Sequence, residues 1–508
     1  MKKEVDFSTL SKEDLIEMYK KVSEENEILL AKFKKLQIEN DQNLKALISL
    51  TEKFKIKQAN TFGPKTEVIK DDIVFNEAET EIKKITKKPG RKQGNHNLNT
   101  DYFEKHFNEK IIVDPKELKT MKNLIYIGSD ETFKVEFIPP TAKIIKVISN
   151  KYINDKHEIF QQNTYKDPYP KSICTPSFAA NIIFSKFVLG IPYYRQEKNI
   201  FSNETIVSRQ NLCNYQIRTS EILKPFYEYL KSLLLDTKVK VLHADETTLK
   251  VIEVNNKSKC YVWLYSTSFY DNPIYIYEYK DSRSGKNPRQ FLANYDGWLI
   301  TDAYEGYSNI PNVKNSYCWV HARRNFVDIL KTLNDEQKSE SISFKIVELI
   351  DTLFEYENEF RVSKKTATDI KKLRNSGNYI VTLNNIFAIL HNANAEPGSA
   401  FFKAVDYLLK RENNFKSILQ NGFLDLSNNL SERAIKPFVI ARKNFLFSNT
   451  ESGAVSSTIL FSIVQTAREN GLDVLKYLEY LIKHVYLKDI SFDRLLPRKT
   501  PQFNLKAL

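Results

Sequence analysis

The sequence predicts a multidomain chain of mixed α+β and α/β class: a long N-terminal coiled-coil helix, a small β module, a helical region, and a mixed sheet interrupted by a block of helices. Three observations carry that prediction. The 508 residues exceed one compact unit of about 100–200 residues. Residues 8–55 contain neither glycine nor proline and keep an apolar repeat, whereas the chain from residue 238 sets strand-like runs between turns. With 42% hydrophobic and 27% charged residues against only 13 Gly and 17 Pro, the composition fits folded cores and excludes low-complexity or collagen-like chains.

The charge balance narrows the partners. Lys and Arg number 76 against 63 Asp and Glu, a formal charge of +13, which suits a polyanion, nucleic acid first and a membrane surface second. Met1-Lys2-Lys3-Glu4-Val5-Asp6 is followed by no apolar leader core. No apolar run reaches the roughly eighteen residues of a spanning helix, and the region from Phe178 to Tyr194 is broken by Lys186. The expectation is a soluble, cytoplasmic protein with no membrane partner. Cys174, Cys213, Cys260 and Cys318 lie far apart without a C-x-x-C pair, so neither a disulfide framework nor a four-cysteine zinc site is expected.

Residues 1–57 form the predicted coiled coil. With Leu15 at position a, the seam reads Leu15, Val22, Leu29, Leu36, Asn43 and Leu50, with Tyr19, Asn26, Phe33, Asn40, Leu47 and Phe54 at d; nine of these twelve are apolar. A sustained 3.5-residue repeat supercoils with a partner helix, so a homo-oligomer is expected; the other reading lays the helix on its own domain. Residues 58–100 are a basic linker. It opens on the turn-like Thr61-Phe62-Gly63-Pro64, and Lys83 to Lys92 carries six cations and no acid, suited to phosphate or to solvent alike.

Residues 101–165 contain β-type runs, Leu124 to Ile127 and Ala142 to Ile148. Residues 166–236 read helical with a break at Pro192, and Glu204 to Ile217 fits part of a DNA-binding-like helix-turn-helix, although plain helical packing is favoured.

The densest pattern is the core's first part, residues 237–330. Lys238 to Ala244 is a β-type run delivering Asp245 at its end; Tyr261 to Tyr265 and Ile274 to Tyr279 are further strands, Asn287 to Asn294 a short helix, Gly297 to Thr301 a fourth strand ending at Asp302, and Ser316 to Val320 a fifth. This β-β-β-α-β-α-β order is that of an RNase H-like sheet, in which the first and fourth strands lie side by side. A helical insertion at residues 331–424 precedes the core's second part, 425–470, where Ser427 or Asn428 caps a helix carrying Glu432 and limited or kinked by Pro437. Residues 471–508 form a helical tail.

Several blocks resemble one family. His243-Ala244-Asp245-Glu246-Thr247, Thr301-Asp302-Ala303-Tyr304-Glu305-Gly306-Tyr307, Cys318-Trp319-Val320-His321-Ala322-Arg323-Arg324-Asn325-Phe326, Asn428 to Pro437, Arg442 to Phe447 and Asn470-Gly471 follow in the order of the DDE transposases of the insertion sequence 66 group; Phe62 to Glu67, Gly90-Arg91-Lys92 and Tyr194-Arg195-Gln196 fit as well. The resemblance implies an acidic triad of Asp245, Asp302 and Glu432, catalytic and metal-binding, and a DNA transposase acting on element ends and target DNA, with accessory transposition proteins as further partners. It also implies a zinc module near residues 115–160, but the paired cysteines are missing there, so zinc is not carried over.

Hard oxygen ligands point to Mg2+, with Mn2+ as substitute. Glu246 is the rival ligand, disfavoured because neighbours on a strand face opposite ways. Cys318-x-x-His321 resembles half a zinc site with no visible second half. Arg323, Arg324, Arg433, Lys436, Arg442 and Lys443 are candidate phosphate contacts, and Trp263, Trp298 and Trp319 read as core. Two other functions stay open: a DNA-binding accessory protein with an inactive core, and a structure-specific nuclease that cuts without joining.

Overall fold

A computed structural model describes residues 11–62, 145–146, 151–153, 159–161 and 168–503, apart from 171, 200–206, 237, 255–258 and 488–489. The chain divides into two compact units, residues 75–162 and the remainder. In the first, the described strands β1 (Lys151–Ile153) and β2 (Ile159–Gln161) pair antiparallel, Tyr152 opposite Phe160. The runs at 124–127 and most of 142–148, the basic decapeptide at 83–92 and the cysteine-free 115–144 lie outside the described residues.

The second unit opens on α1 (Lys12–Phe62), one unbroken helix of 51 residues, about 75 Å long at 1.5 Å per residue. Most of its apolar seam is uncovered within this chain, Tyr19, Leu29, Phe33, Leu36, Leu47, Leu50 and Phe54 each more than 60% exposed. Near its end, the Glu52 carboxylate accepts from the Ala400 amide and the Lys403 ammonium donates to Ser49.

Three helices lead to the sheet: α2 (Pro176–Phe187), capped by the Thr175 hydroxyl and opened by Pro176; α3 (Tyr193–Asn199), after the Gly190 and Pro192 break; and α4 (Arg209–Leu234), capped by Ser208. Lys186 on α2 is buried and donates to Gln216 on α4 at 2.6 Å, an acceptor shared with the Tyr193 hydroxyl. The Gln216 amide then donates to Ser456 and Ser457.

The sheet has five strands in the order β5-β4-β3-β6-β7: β3 (Val241–Leu249), β4 (Cys260–Thr267), β5 (Tyr275–Lys280), β6 (Gly297–Thr301) and β7 (Val313–Tyr317). The first three pair antiparallel, and β3-β6 and β6-β7 are parallel. Trp263, Leu264 and Tyr265 are fully buried in β4, as continuous apolar runs are when both faces are covered. The expected adjacency of the first and fourth strands is present.

Three expectations need correcting. Strand β3 does not end at Asp245 but runs on to Leu249, because antiparallel pairing with β4 continues from Asp245 opposite Leu264 to Leu249 opposite Cys260 after the β6 partner has ended at Ile300. No α-helix separates β6 from β7, only a 3₁₀ turn at Glu305–Tyr307. The fifth strand is Val313–Tyr317, since Cys318 caps α6 (Trp319–Leu330), after the short α5 (Lys286–Phe291) earlier in the chain.

Residues 331–424 contain α7 (Asp335–Glu340), α8 (Ile342–Val362), α9 (Ala367–Arg374), α10 (Gly377–His391), α11 (Ala400–Leu409) and α12 (Glu412–Lys416). All but α7 join α6 and one side of the sheet in a single core with Trp319, Ile350, Phe387 and Ile300. Arg374 fastens the end of the block. It is 1% exposed, forks onto Glu357 at 2.7 Å, and donates to the carbonyls of Ile418, Asn421 and Leu424.

Beyond it, α13 (Asn429–Phe445) contacts β3 and β4, α14 (Glu451–Glu469) packs on β5 and α4, and α15 (Val474–His484) packs on α2, α4 and α14, followed by a last turn α16 (Phe492–Leu495). Pro437 neither limits α13 nor stops it; the helix continues two turns to Phe445 and ends at Leu446, whose φ is 66°. Among the described residues no helix is long and apolar enough to cross a membrane.

Candidate active site

The parallel register sets His243 opposite Ile300. Two residues further on come Asp245, within β3, and Asp302, the first residue past β6. Asp302 sits just past β6, where its carboxylate accepts from the Tyr304 amide at 3.0 Å and Ala303 takes a φ of 68°. That left-handed residue turns the chain sharply away. The Tyr407 hydroxyl on α11 holds the Asp302 carbonyl at 3.0 Å.

Asp245 accepts from the amide of Glu246 at 2.8 Å. Burial pushes its carboxyl well above the ordinary range, and the nearby charges of Glu246, Asp302 and Glu432 push it further, against that backbone hydrogen bond. The adjacent Glu246 and acids from two distant stretches thus act on one carboxyl group. Such mutual repulsion is what a cation relieves.

Glu432 lies in the first turn of α13, after Asn428 as the sequence suggests, but Asn428 makes no side-chain cap. Its amide instead donates to the Ala244 carbonyl at 2.9 Å, its oxygen meets His243 Nδ1 at 3.0 Å, and its backbone N–H donates to Cys318 Sγ at 3.1 Å. With the Trp319 amide on the Leu426 carbonyl at 2.7 Å, these bonds fix where Glu432 enters. His243 is fully buried and its other nitrogen lies 3.5 Å from Asp425.

Glu246 faces the other way. Arg283 forks onto its Oε1, and the Tyr307 hydroxyl donates to Oε2 at 2.7 Å. Burial raises its pKa while those partners lower it. Its carboxylate is already satisfied by protein.

The sequence alone did not connect Cys318 and His321 to Glu432. The Sγ, a ring nitrogen and a carboxylate oxygen of these residues lie within 4.8 Å of one another. Cys318 is fully buried, and burial pushes its thiol up to about 12. The spacing C-x-x-H was the visible half; the third member comes from a helix beyond the whole insertion.

The basic candidates differ in surroundings. Arg324, Arg433, Lys436 and Lys443 are exposed. Arg323 is buried and forked onto Asp351 of α8 at 2.5 and 2.9 Å, and Arg442 donates to the Thr248 carbonyl and hydroxyl, tying α13 to β3. Trp263 and Trp319 are fully buried core, and Trp298 packs partly buried against the core that holds Trp319.

Comparison with known proteins gives one family and several relatives. A profile described as transposase IS66 family matches residues 171–456, a little over half the chain. Among curated proteins, y4qI of Sinorhizobium fredii, named as uncharacterized, is 24% identical over 86% of this chain and 86% of its own. Uncharacterized proteins y4hP and y4jD of the same organism are 25% and 23% identical, over 72% and 73% of this chain and 70% and 74% of theirs.

Proposed function

Because the chain belongs to the transposase IS66 family, we propose that it is a DNA transposase that cleaves a DNA strand at element ends and joins the freed 3′-hydroxyl to target DNA, with Asp245, Asp302 and Glu432 as its acidic triad on an RNase H-like core. The observation that carries this reading is the parallel pairing of β3 with β6, His243 opposite Ile300, which sets Asp245 and Asp302 two residues further along neighbouring strands; burial, with the charges of Glu246, Asp302 and Glu432, holds the Asp245 carboxyl above its ordinary range. Three carboxylates are hard oxygen donors, a set that would suit Mg2+, or Mn2+ in its stead. When bound, such ions stabilise charge on the attacking and leaving oxygens of phosphoryl transfer.

The chain's own residues supply the rest. Asp245, on a central strand hydrogen-bonded on both sides at its root, is the most rigidly held ligand. Asp302 is steadied by the Tyr304 amide and Glu432 by the Asn428 bonds. In cleavage a water oxygen bonds to phosphorus and the 3′-oxygen leaves; in joining, that 3′-oxygen bonds to a target phosphorus as its proton is given up, and the target strand's own 3′-oxygen leaves and is protonated. Arg324, Arg433, Lys436 and Lys443 offer exposed cations for phosphates, whereas Arg323 and Arg442, held by Asp351 and Thr248, contribute as fixed positive charge. The uncovered α1 seam supports self-association, and accessory transposition proteins remain part of the proposal.

The test is strand cleavage and joining on labelled element-end DNA with Mg2+. Asp245→Asn and Glu432→Gln are expected to lose both activities by about a thousandfold or more, several kcal/mol of transition-state stabilisation, while DNA affinity holds. Retained joining in Asp245→Asn overturns the triad. Cutting without joining by the unaltered protein identifies a nuclease, and binding alone an accessory protein.

A further inference from the structure

Cys318 caps α6 and His321 follows on its first turn, while Glu432 faces them from the first turn of α13. His321 Nδ1 and Glu432 Oε1 are 3.7 Å apart, beyond hydrogen-bonding distance. Both atoms are buried and neither has a hydrogen-bond partner. Two orphaned polar atoms facing each other beside a buried thiol call for a third party. The Asn428 amide already points at the Cys318 sulfur, as donors to a metal-bound thiolate do.

We propose that Cys318, His321 and Glu432 form a zinc site which, when filled, holds the Glu432 carboxylate away from Asp245 and Asp302 and so restrains strand cleavage. The donor set decides the ion: sulfur and imidazole nitrogen suit Zn2+ and not Mg2+. Three protein ligands leave a fourth position for water. Binding converts the Cys318 thiol to thiolate and releases its proton to solvent. Zinc capture stands on these residues alone, whereas the restraint rests on the reading of Glu432 as the third acid.

The full-length chain, freed of metal, is titrated with Zn2+ against a chromophoric chelator, and the zinc environment is read by X-ray absorption. One zinc is expected in this site, with one sulfur at about 2.3 Å and nitrogen or oxygen at about 2.0–2.2 Å. Cys318→Ser and His321→Ala should each weaken binding by about tenfold or more, since even outer partners of metal ligands cost about 10–100-fold; Asp245→Asn should not. A shell without sulfur, or binding unchanged in both Cys318→Ser and His321→Ala, overturns the site. In the activity arm, the ratio of zinc-free to zinc-treated cleavage should be well above one for the unaltered protein and fall towards one in Cys318→Ser, each measured against its own zinc-free rate. Zinc bound through sulfur with no loss of cleavage overturns the restraint. Joining retained in Asp245→Asn would instead remove the triad and leave the zinc site standing.

Discussion

The Asn428 side chain donates to the Ala244 carbonyl at 2.9 Å, so the residue that begins the Glu432 helix is bonded to the one that precedes Asp245. A helix entering a sheet at one point can still pivot there. The companion contacts to His243 and Cys318 remove that freedom.

Asn428→Ala should therefore lower cleavage by about 10–100-fold, as loss of a ligand's outer support does, with DNA affinity retained. It also leaves the buried Ala244 carbonyl unsatisfied, for a stability loss of about 1–3 kcal/mol. Parallel measurement of single-turnover cleavage and urea unfolding checks both. Full activity in a destabilised variant would make Asn428 a purely structural residue.

Arg374→Ala should destabilise the protein by about 3–5 kcal/mol, because it leaves the mostly buried Glu357 carboxylate with only the Tyr379 hydroxyl and removes the donor to three carbonyls. Arg374→Lys should recover little, since an ammonium cannot fork. Denaturant titration of both variants decides; a loss under about 1 kcal/mol would mean the pair behaves like a surface one.

Lys186 gives a pH signature. Burial lowers its pKa to about 8, against a small opposing effect of Cys213, while the unfolded amine titrates near about 10.4. Between those values the unfolded chain binds the extra proton, so stability rises with pH. Relative to Lys186→Met, the unaltered protein should gain up to about 3 kcal/mol from pH 8 to pH 10.4. The comparison cancels tyrosine titration, and a difference flat with pH in urea midpoints would refute it.

The α1 seam predicts self-association. Leu29→Asp with Leu36→Asp puts charge at two exposed seam positions and should shift sedimentation toward the monomer, with the helical signal of α1 reduced, because a lone helix gains little from water-exposed leucines. Unchanged sedimentation would leave the helix without a partner helix.

How much of this was legible follows from the range of each cause. The α1 repeat, the five strands and the helical block rest on local periodicity, and the sequence predicts them to within a few residues. Where partners decide, it does not: β3 outlasts Asp245 because β4 keeps pairing with it, and α13 passes Pro437 because packing of Phe438 and Ala441 holds it. Asn428 looks like a cap and is a strut, since His243 and Ala244 compete for its side chain. Nothing near Cys318-x-x-His321 points to Glu432; only the folded return of the chain brings it there.

The bond between Ala244 and Asn428 spans 184 residues. At about 5–20 residues per second of synthesis, the first acid leaves the ribosome roughly 10–40 s before the helix that carries the last one. The entire insertion must emerge in that interval. On the proposed reading, a nascent chain holds no complete set of the three acids until α13 has emerged, with α14 to α16 still to follow.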